Sequence, residues 1–177
     1  DPAADKDLFI ALNELVSEKK IRLDDVEIRF YTGELPWLKK EIKEYNLENT
    51  AYVYEKVSRR EIIKRQSESQ VLLIIYWGEK KEKGWQSLKI FGYLAALRPI
   101  LVTNGASGDV VERMIEETKS GAYCRNIAEI KDNLEKYYFD YKKTGEVSYH
   151  GDIEMVKKHS YDKKAEELAN ILNRLMR

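Results

Sequence analysis

The chain has one cysteine in 177 residues, Cys124. No disulfide can form within it, and a reducing, cytoplasmic setting is the expected one. It has no excess of either charge: Lys+Arg and Asp+Glu are both 31. A protein built to hold nucleic acid shows a basic surplus, so nucleic acid is not an expected partner. Long hydrophobic runs are missing too. The seven-residue VLLIIYW at 71–77 is far short of the roughly 20 apolar residues that span a bilayer. The opening DPAADKD is acidic, lacks a signal-peptide pattern and has no initiator methionine, so a piece of a longer protein is expected. Prolines number only three, and two of them, Pro36 and Pro99, stand where an element opens.

What is present is a globular balance, 43% hydrophobic and 35% charged, in a length that suits one domain, 1–177, with a core of its own. Two periods alternate along it. Leu8, Phe9, Leu12, Leu15 and Val16 recur at helical spacing, while Val26, Ile28 and Phe30 alternate with polar residues as in a strand. Strands are expected near 26–32, 50–56, 71–77, 99–103 and 122–125. The all-apolar run at 71–77 reads as a strand buried on both faces. Helices are expected from Pro36 to about Tyr45, from the capping box SRRE at 58–61 to about Ser69, and from Ser87 to the break before Pro99. Another covers VVERMIEETKS and stops at Gly121 as a C-terminal glycine. Further helices run from Ile127 to about Lys143 and over 160–177, where Ala165, Leu168, Ala169, Leu172, Leu175 and Met176 form one stripe. The tyrosine-rich stretch from Glu135 reads as the end of an exposed helix and its loop. Alternation of this kind implies an α/β fold, a Rossmann-like doubly wound parallel sheet with helices on both faces.

Ligands of such sheets sit at the carboxyl ends of the strands. Two turns there have the chemistry of a phosphate site: 76–87, leading into the helix at Ser87, and NGASGDV at 104–110. Each brings free backbone N–H groups and the positive end of a helix dipole. Gly84, Gly105 and Gly108 would let a ligand approach the backbone. The plainer reading is two ordinary capped turns. There is no P-loop and no dinucleotide fingerprint. Asp109 and Glu112 read as cap and dipole partners, His150 and His159 as surface residues without metal-ligand spacing, and Cys124 as a small buried hydrophobe. No nucleophile–base pair stands out, so no catalytic residue and no metal ligand is assigned.

SLKIFGYLAALRPILVTNGASGDVVERMIEETKSG, 87–121, resembles the donor-binding segment of the retaining glycosyltransferases of family four. There S-x-K-x-F-E-Y-L-A-x-G-x-P-[IV]-L runs into a glycine loop, then G-D, then E-x-I-x-E-x-x-x-G. Ser87, Lys89, Phe91, Tyr93, Leu94, Ala95, Pro99, Ile100, Leu101, Gly108, Asp109, Glu112, Glu117 and Gly121 stand in matching places. The resemblance implies the C-terminal, donor-binding half of a two-domain GT-B enzyme, a hexosyltransferase type that uses a nucleotide diphosphate sugar as substrate and needs no cofactor. The acceptor, a saccharide or lipid-linked saccharide, would bind an N-terminal domain, so this half alone is expected to be inactive. The implied donor-binding residues are Trp85, Gln86, Ser87, Leu88 and Lys89 for sugar and diphosphate, and Val57, Ser58 and Arg59 for the base. Peripheral membrane association of the full-length enzyme is a further implication.

The family's paired glutamates are replaced here by Gly84 and Gly92. Gly92 puts ribose binding in doubt, and close helix packing, an altered donor and lost activity are its alternative meanings. A non-catalytic Rossmann-like binding module is therefore the competing function, and a nucleotide-sugar epimerase a third. In the family the first strand of this domain lies centrally, beside the strand at 71–77, and would come before Asp1. The sheet is expected to have a gap there, filled by upstream residues or by a neighbouring chain in an oligomer.

Overall fold

A computed structural model describes residues 6–76 and 88–175. In chain order the elements are α1 (Lys6–Ser17), a 3-10 turn (Leu23–Asp25), β1 (Ile28–Tyr31), α2 (Pro36–Glu44), β2 (Ala51–Tyr54), α3 (Arg59–Glu68), β3 (Leu72–Ile75), α4 (Lys89–Ala95), β4 (Ile100–Thr103), α5 (Val110–Thr118), β5 (Gly121–Tyr123), α6 (Ile127–Thr144), α7 (Ile153–Lys158) and α8 (Tyr161–Leu175). All strand pairs are parallel, in two small sheets: β1 beside β2, and β3-β4-β5. The alternation predicts this α/β architecture and every one of these strands to within a few residues.

The sequence pattern explains how the layers close. Leu8, Leu12 and Leu15 follow one another at i, i+4 and i+7, so α1 turns one apolar stripe inward. With Phe9 and Ala11 it joins Leu38 and Ile42 of α2, Ile130 of α6, Leu101 and Cys124 in one buried cluster. Each fully buried leucine contributes about 1.5–3 kcal/mol through water exclusion. A second cluster, on the opposite face of the three-stranded sheet, joins Leu72, Ile74, Ile100 and Val102 to Ile90 and Leu94 of α4 and Val111, Met114 and Ile115 of α5. Period-two alternation is visible directly in β4: Ile100 and Val102 belong to the second cluster, Leu101 to the first.

Several readings need correction. The strand read at 71–77 is not fully buried on both faces: Leu72 and Ile74 are buried, but Leu73 and Ile75 are half-buried, and among the described residues β3 pairs only with β4, with an open side where a gap is expected. Gly121 does not end α5. The left-handed residue there is Lys119 (φ 51°), and Gly121 lies in β5, where a Cβ would stand 1.9 Å from the carbonyl oxygen of Ile100. The glycine is needed for strand approach. The tyrosines of α6 are not all exposed: Tyr137 and Tyr138 pack on the first cluster, and the Tyr138 hydroxyl donates to Asp25 at 2.6 Å. Gly145 caps α6 in the left-handed conformation, with φ 83°. A short helix, α7, was not expected; Asp152 caps it through the N–H of Met155. Of the α8 stripe, Leu168, Leu172 and Leu175 face solvent. None of the described helices is long and apolar enough to cross a membrane.

Candidate functional site

Parallel register brings the strand ends to common edges: Tyr31 is opposite Tyr54, Ile75 opposite Thr103, and Val102 opposite Tyr123. The two-stranded sheet presents Val57, Ser58 and Arg59 beyond the end of β2. The three-stranded sheet presents Leu88 and Lys89 at the start of α4, and the 104–108 loop between β4 and α5. The chain enters α3 and α4 at these edges, and the two helices are neighbours, since a Cβ on Gly92 would stand 3.7 Å from the Gln66 side chain.

Ser58 is a helix cap. Its side chain accepts the Glu61 N–H at 3.2 Å, while Glu61 turns to Arg65 at 2.8 Å, so only the first half of the capping box forms. Val57 and Arg59 are exposed. At α4 the cap residue Leu88 is 74% exposed, its backbone is already helical and its side chain makes no cap hydrogen bond. Lys89 is exposed beside it. Trp85, Gln86, Ser87 and Gly84 lie outside the described residues. No hydrogen bond or ion pair joins 57–59 to 88–89 among the described residues.

The loop between β4 and α5 is held from within the protein. Asp109 is the cap of α5, accepting the Val111 N–H at 3.3 Å, and Glu112 accepts the Gly108 N–H at 2.6 Å and pairs with Arg125. Both carboxylates act as cap and dipole partners, as their positions suggest. The Tyr123 hydroxyl lies 3.0 Å from the carbonyl of Ala106 and 3.3 Å from Oδ2 of Asp109. Tyr76 meets Tyr123 edge to face, ring centroids 6.1 Å apart. Burial, and then the Asp109 carboxylate, push both phenols far up, so both stay protonated, and the Tyr123 hydroxyl donates to the loop. Gly105 is accounted for by this arrangement: a Cβ there would stand 2.1 Å from the Tyr123 ring. The space expected for a ligand at Gly105 is filled by the chain itself. Gly108, in contrast, takes φ 82° with open space around it.

Sequence reasoning missed Tyr76, Tyr123 and Arg125. The available signal was an aromatic residue at the end of each of the two strands that flank β4. It also missed Thr103, fully buried at the end of β4 with no partner for its hydroxyl among the described residues. Cys124 is buried, as expected, and desolvation pushes its thiol up to about 12, which makes it unreactive. His150 is exposed, whereas His159 is largely covered, its Nε2 3.7 Å from Glu117. No group of three or more metal-ligating side chains gathers among the described residues. A chemical role for the edge thus rests on backbone N–H groups and Lys89. No family model matches the chain, and no curated protein matches it.

Proposed function

We propose that this chain is a nucleotide-sugar donor-binding domain: a Rossmann-like, doubly wound unit forming the C-terminal half of a GT-B glycosyltransferase. The full enzyme would pass a glycosyl group to a saccharide or lipid-linked acceptor held by an N-terminal domain. It would work in the cytoplasm, at the membrane surface where the acceptor is lipid-linked. The observation that carries this reading is the stretch 87–121, which combines the pattern of a donor segment with a place at the carboxyl edge of a parallel sheet. That edge is where such folds receive ligands.

In this reading the donor diphosphate lies against the first turn of α4, near Ser87 and Leu88, with Lys89 as its cation. Trp85 and Gln86 face the sugar. Val57, Ser58 and Arg59 hold the base through their backbone, since the Ser58 side chain is occupied by its cap. The chain's own residues bind and orient the donor; no proton-transfer group is assigned.

Gly92 favours a second reading, a binding module without transfer activity. Among the described residues a Cβ there meets only Gln66, at ordinary van der Waals distance. Packing among the described residues therefore gives no reason for glycine at an exposed helical position, where it costs about 1 kcal/mol against alanine. A glutamate at this position is affordable sterically, and its absence is a loss of a polar ligand group.

Calorimetric titration with UDP and GDP separates the two. Binding should be measurable, Lys89→Ala should weaken it by about 1–2 kcal/mol, and the loss should shrink as salt rises. Gly92→Glu should tighten it by restoring a ribose contact. Absence of binding in the wild type and both variants would leave the non-catalytic module.

A further inference from the structure

β2 runs out into a stretch whose hydrogen-bonding groups are mostly spent. The Tyr54 C=O accepts the Gly33 N–H at 3.0 Å, and the Ser58 C=O accepts the Ile62 N–H at 2.9 Å. The Ser58 hydroxyl is taken by the Glu61 N–H. Two carboxylates belong to the stretch, and both turn elsewhere. Glu61 pairs with Arg65, and Glu55 lies by Gly33, its Oε2 3.7 Å from where a Cβ there would stand. Little remains. The N–H and C=O of Val57 have no hydrogen bond among the described residues, and the residue is exposed. The Arg59 side chain is exposed as well and has no ion pair or hydrogen bond among the described residues. As a cation in the first turn of α3 it also opposes the helix dipole, a cost with no partner to offset it.

These leftover groups have a definite polarity. Val57 offers one donor and one acceptor, and Arg59 offers donors only. The pairing edge of uracil reads carbonyl, N–H, carbonyl, and that of cytosine reads amine, ring nitrogen, carbonyl. In each, Val57 satisfies two neighbouring groups and the remaining carbonyl is left for the guanidinium. Guanine reads carbonyl, N–H, amine. Val57 can satisfy the first two, but the amine then faces Arg59, donor against donor. Adenine reads amine and ring nitrogen with no third polar group, so Arg59 gains nothing from it. A polar group left without its partner on binding is costly, and that cost is what separates close analogues.

We infer that the site takes a pyrimidine nucleotide and rejects purine ones, with the Val57 backbone pairing to the base and Arg59 as the residue that sets the choice. The inference rests on the donor-binding reading above and names the base for it. It follows from what this stretch lacks: no side-chain acceptor is left between Glu55 and Glu61 to receive the guanine amine. It also gives the Arg59 charge a use, since the base carbonyl supplies the negative partner that α3 does not.

Calorimetric titration of the chain with UDP, CDP, GDP and ADP tests this. The better-bound pyrimidine nucleotide should exceed both purine nucleotides by about tenfold or more, the cost of one mispaired polar group. Arg59→Ala should narrow that gap. Arg59→Asp should raise GDP above the pyrimidines, because a carboxylate accepts from the guanine amine. Aspartate at this position also suits the helix dipole, so the fold is kept. GDP or ADP bound as tightly as the better pyrimidine overturns the inference and leaves the donor-binding reading standing. So does an Arg59→Asp variant that weakens all four nucleotides equally, which would put Arg59 on the phosphates instead of the base. If none of the four binds, the donor-binding reading falls and the inference with it.

Discussion

β4 and β1 are both four-residue strands opening on an isoleucine, and their environments differ sharply. All four residues of β4 are buried, between helices of the first cluster on one face and of the second on the other. None of β1 is fully buried: Ile28 and Phe30 face the first cluster, and Arg29 and Tyr31 face away from it. The outward side of the two-stranded sheet is instead a set of tyrosines, with Tyr31 and Tyr54 stacked at 5.1 Å and Tyr52 and Tyr54 partly in solvent. α3, beside it, buries no residue. Position in the layers therefore sets burial here, more than residue type does. One half of the molecule is a closed three-layer sandwich, and the other is a two-layer lean-to on the shared core.

The strongest test of that contrast is the same substitution in both halves. Ile100→Ala removes side-chain volume from a site that is fully buried and should cost about 4 kcal/mol, within the range for large-to-small changes in a closed core. Ile28→Ala, at the half-buried equivalent position, should cost about 1–2 kcal/mol, because the site was already partly hydrated and leaves little cavity. Urea unfolding of the two variants reads both numbers. Equal losses would mean that the two halves are equally well packed.

A second test probes the tight pairing that the closed half requires. Gly121→Ala places a methyl group against the Ile100 backbone, and backbone cannot yield as a flexible side chain does. A loss of about 3 kcal/mol is expected, with β5 pushed off β4. Gly92→Ala should instead be neutral or stabilising by up to about 1 kcal/mol, since that position is open and helical.

These two glycines also show what can be read from a sequence and what cannot. Gly121 follows a helical stretch at the right distance for a helix-ending residue, and the local rule points to it. The true reason is Ile100, a residue far away along the chain. Strand positions, the Ser58 cap and the inward stripe of α1 were legible because period and capping chemistry are local. The Asp109 cap was legible for the same reason. The hydrogen bonding of Tyr123 to Ala106 and Asp109, and of Tyr138 to Asp25, was not, because the partners meet only after the sheet has assembled. The half-burial of Leu73 and Ile75 in β3 was hidden by composition: an all-apolar run looks buried on both faces whether or not both are covered. At the candidate site the sequence could assign Lys89 and Val57–Arg59 to sheet edges, but it credited Gly105 to a ligand when Tyr123 occupies that space.

The smallest expected effect lies in the more open half and carries a pH signature. Glu41, on α2, is 4% exposed, and its Oε2 has no hydrogen-bond partner among the described residues. Burial raises its pKa, with Lys6 opposing and Glu44 reinforcing the shift. A carboxyl whose folded pKa is raised destabilises the fold above its unfolded pKa, and that penalty is relieved as pH falls through the folded value. Asp25 and Asp140 behave oppositely: hydrogen bonds from Tyr138 to Asp25 and from Ser148 to Asp140 lower their pKa values, so their contributions are lost in acid. Comparing wild type with Glu41→Gln at each pH cancels those groups. The variant should be more stable by about 1 kcal/mol at neutral pH, the scale of one uncompensated buried polar group. The difference should fall toward zero as acid protonates Glu41 in the wild type. A difference that instead widened in acid would mean that Glu41 is held as a stabilised carboxylate, and that the two-layer half is as well satisfied in its polar groups as the sandwich.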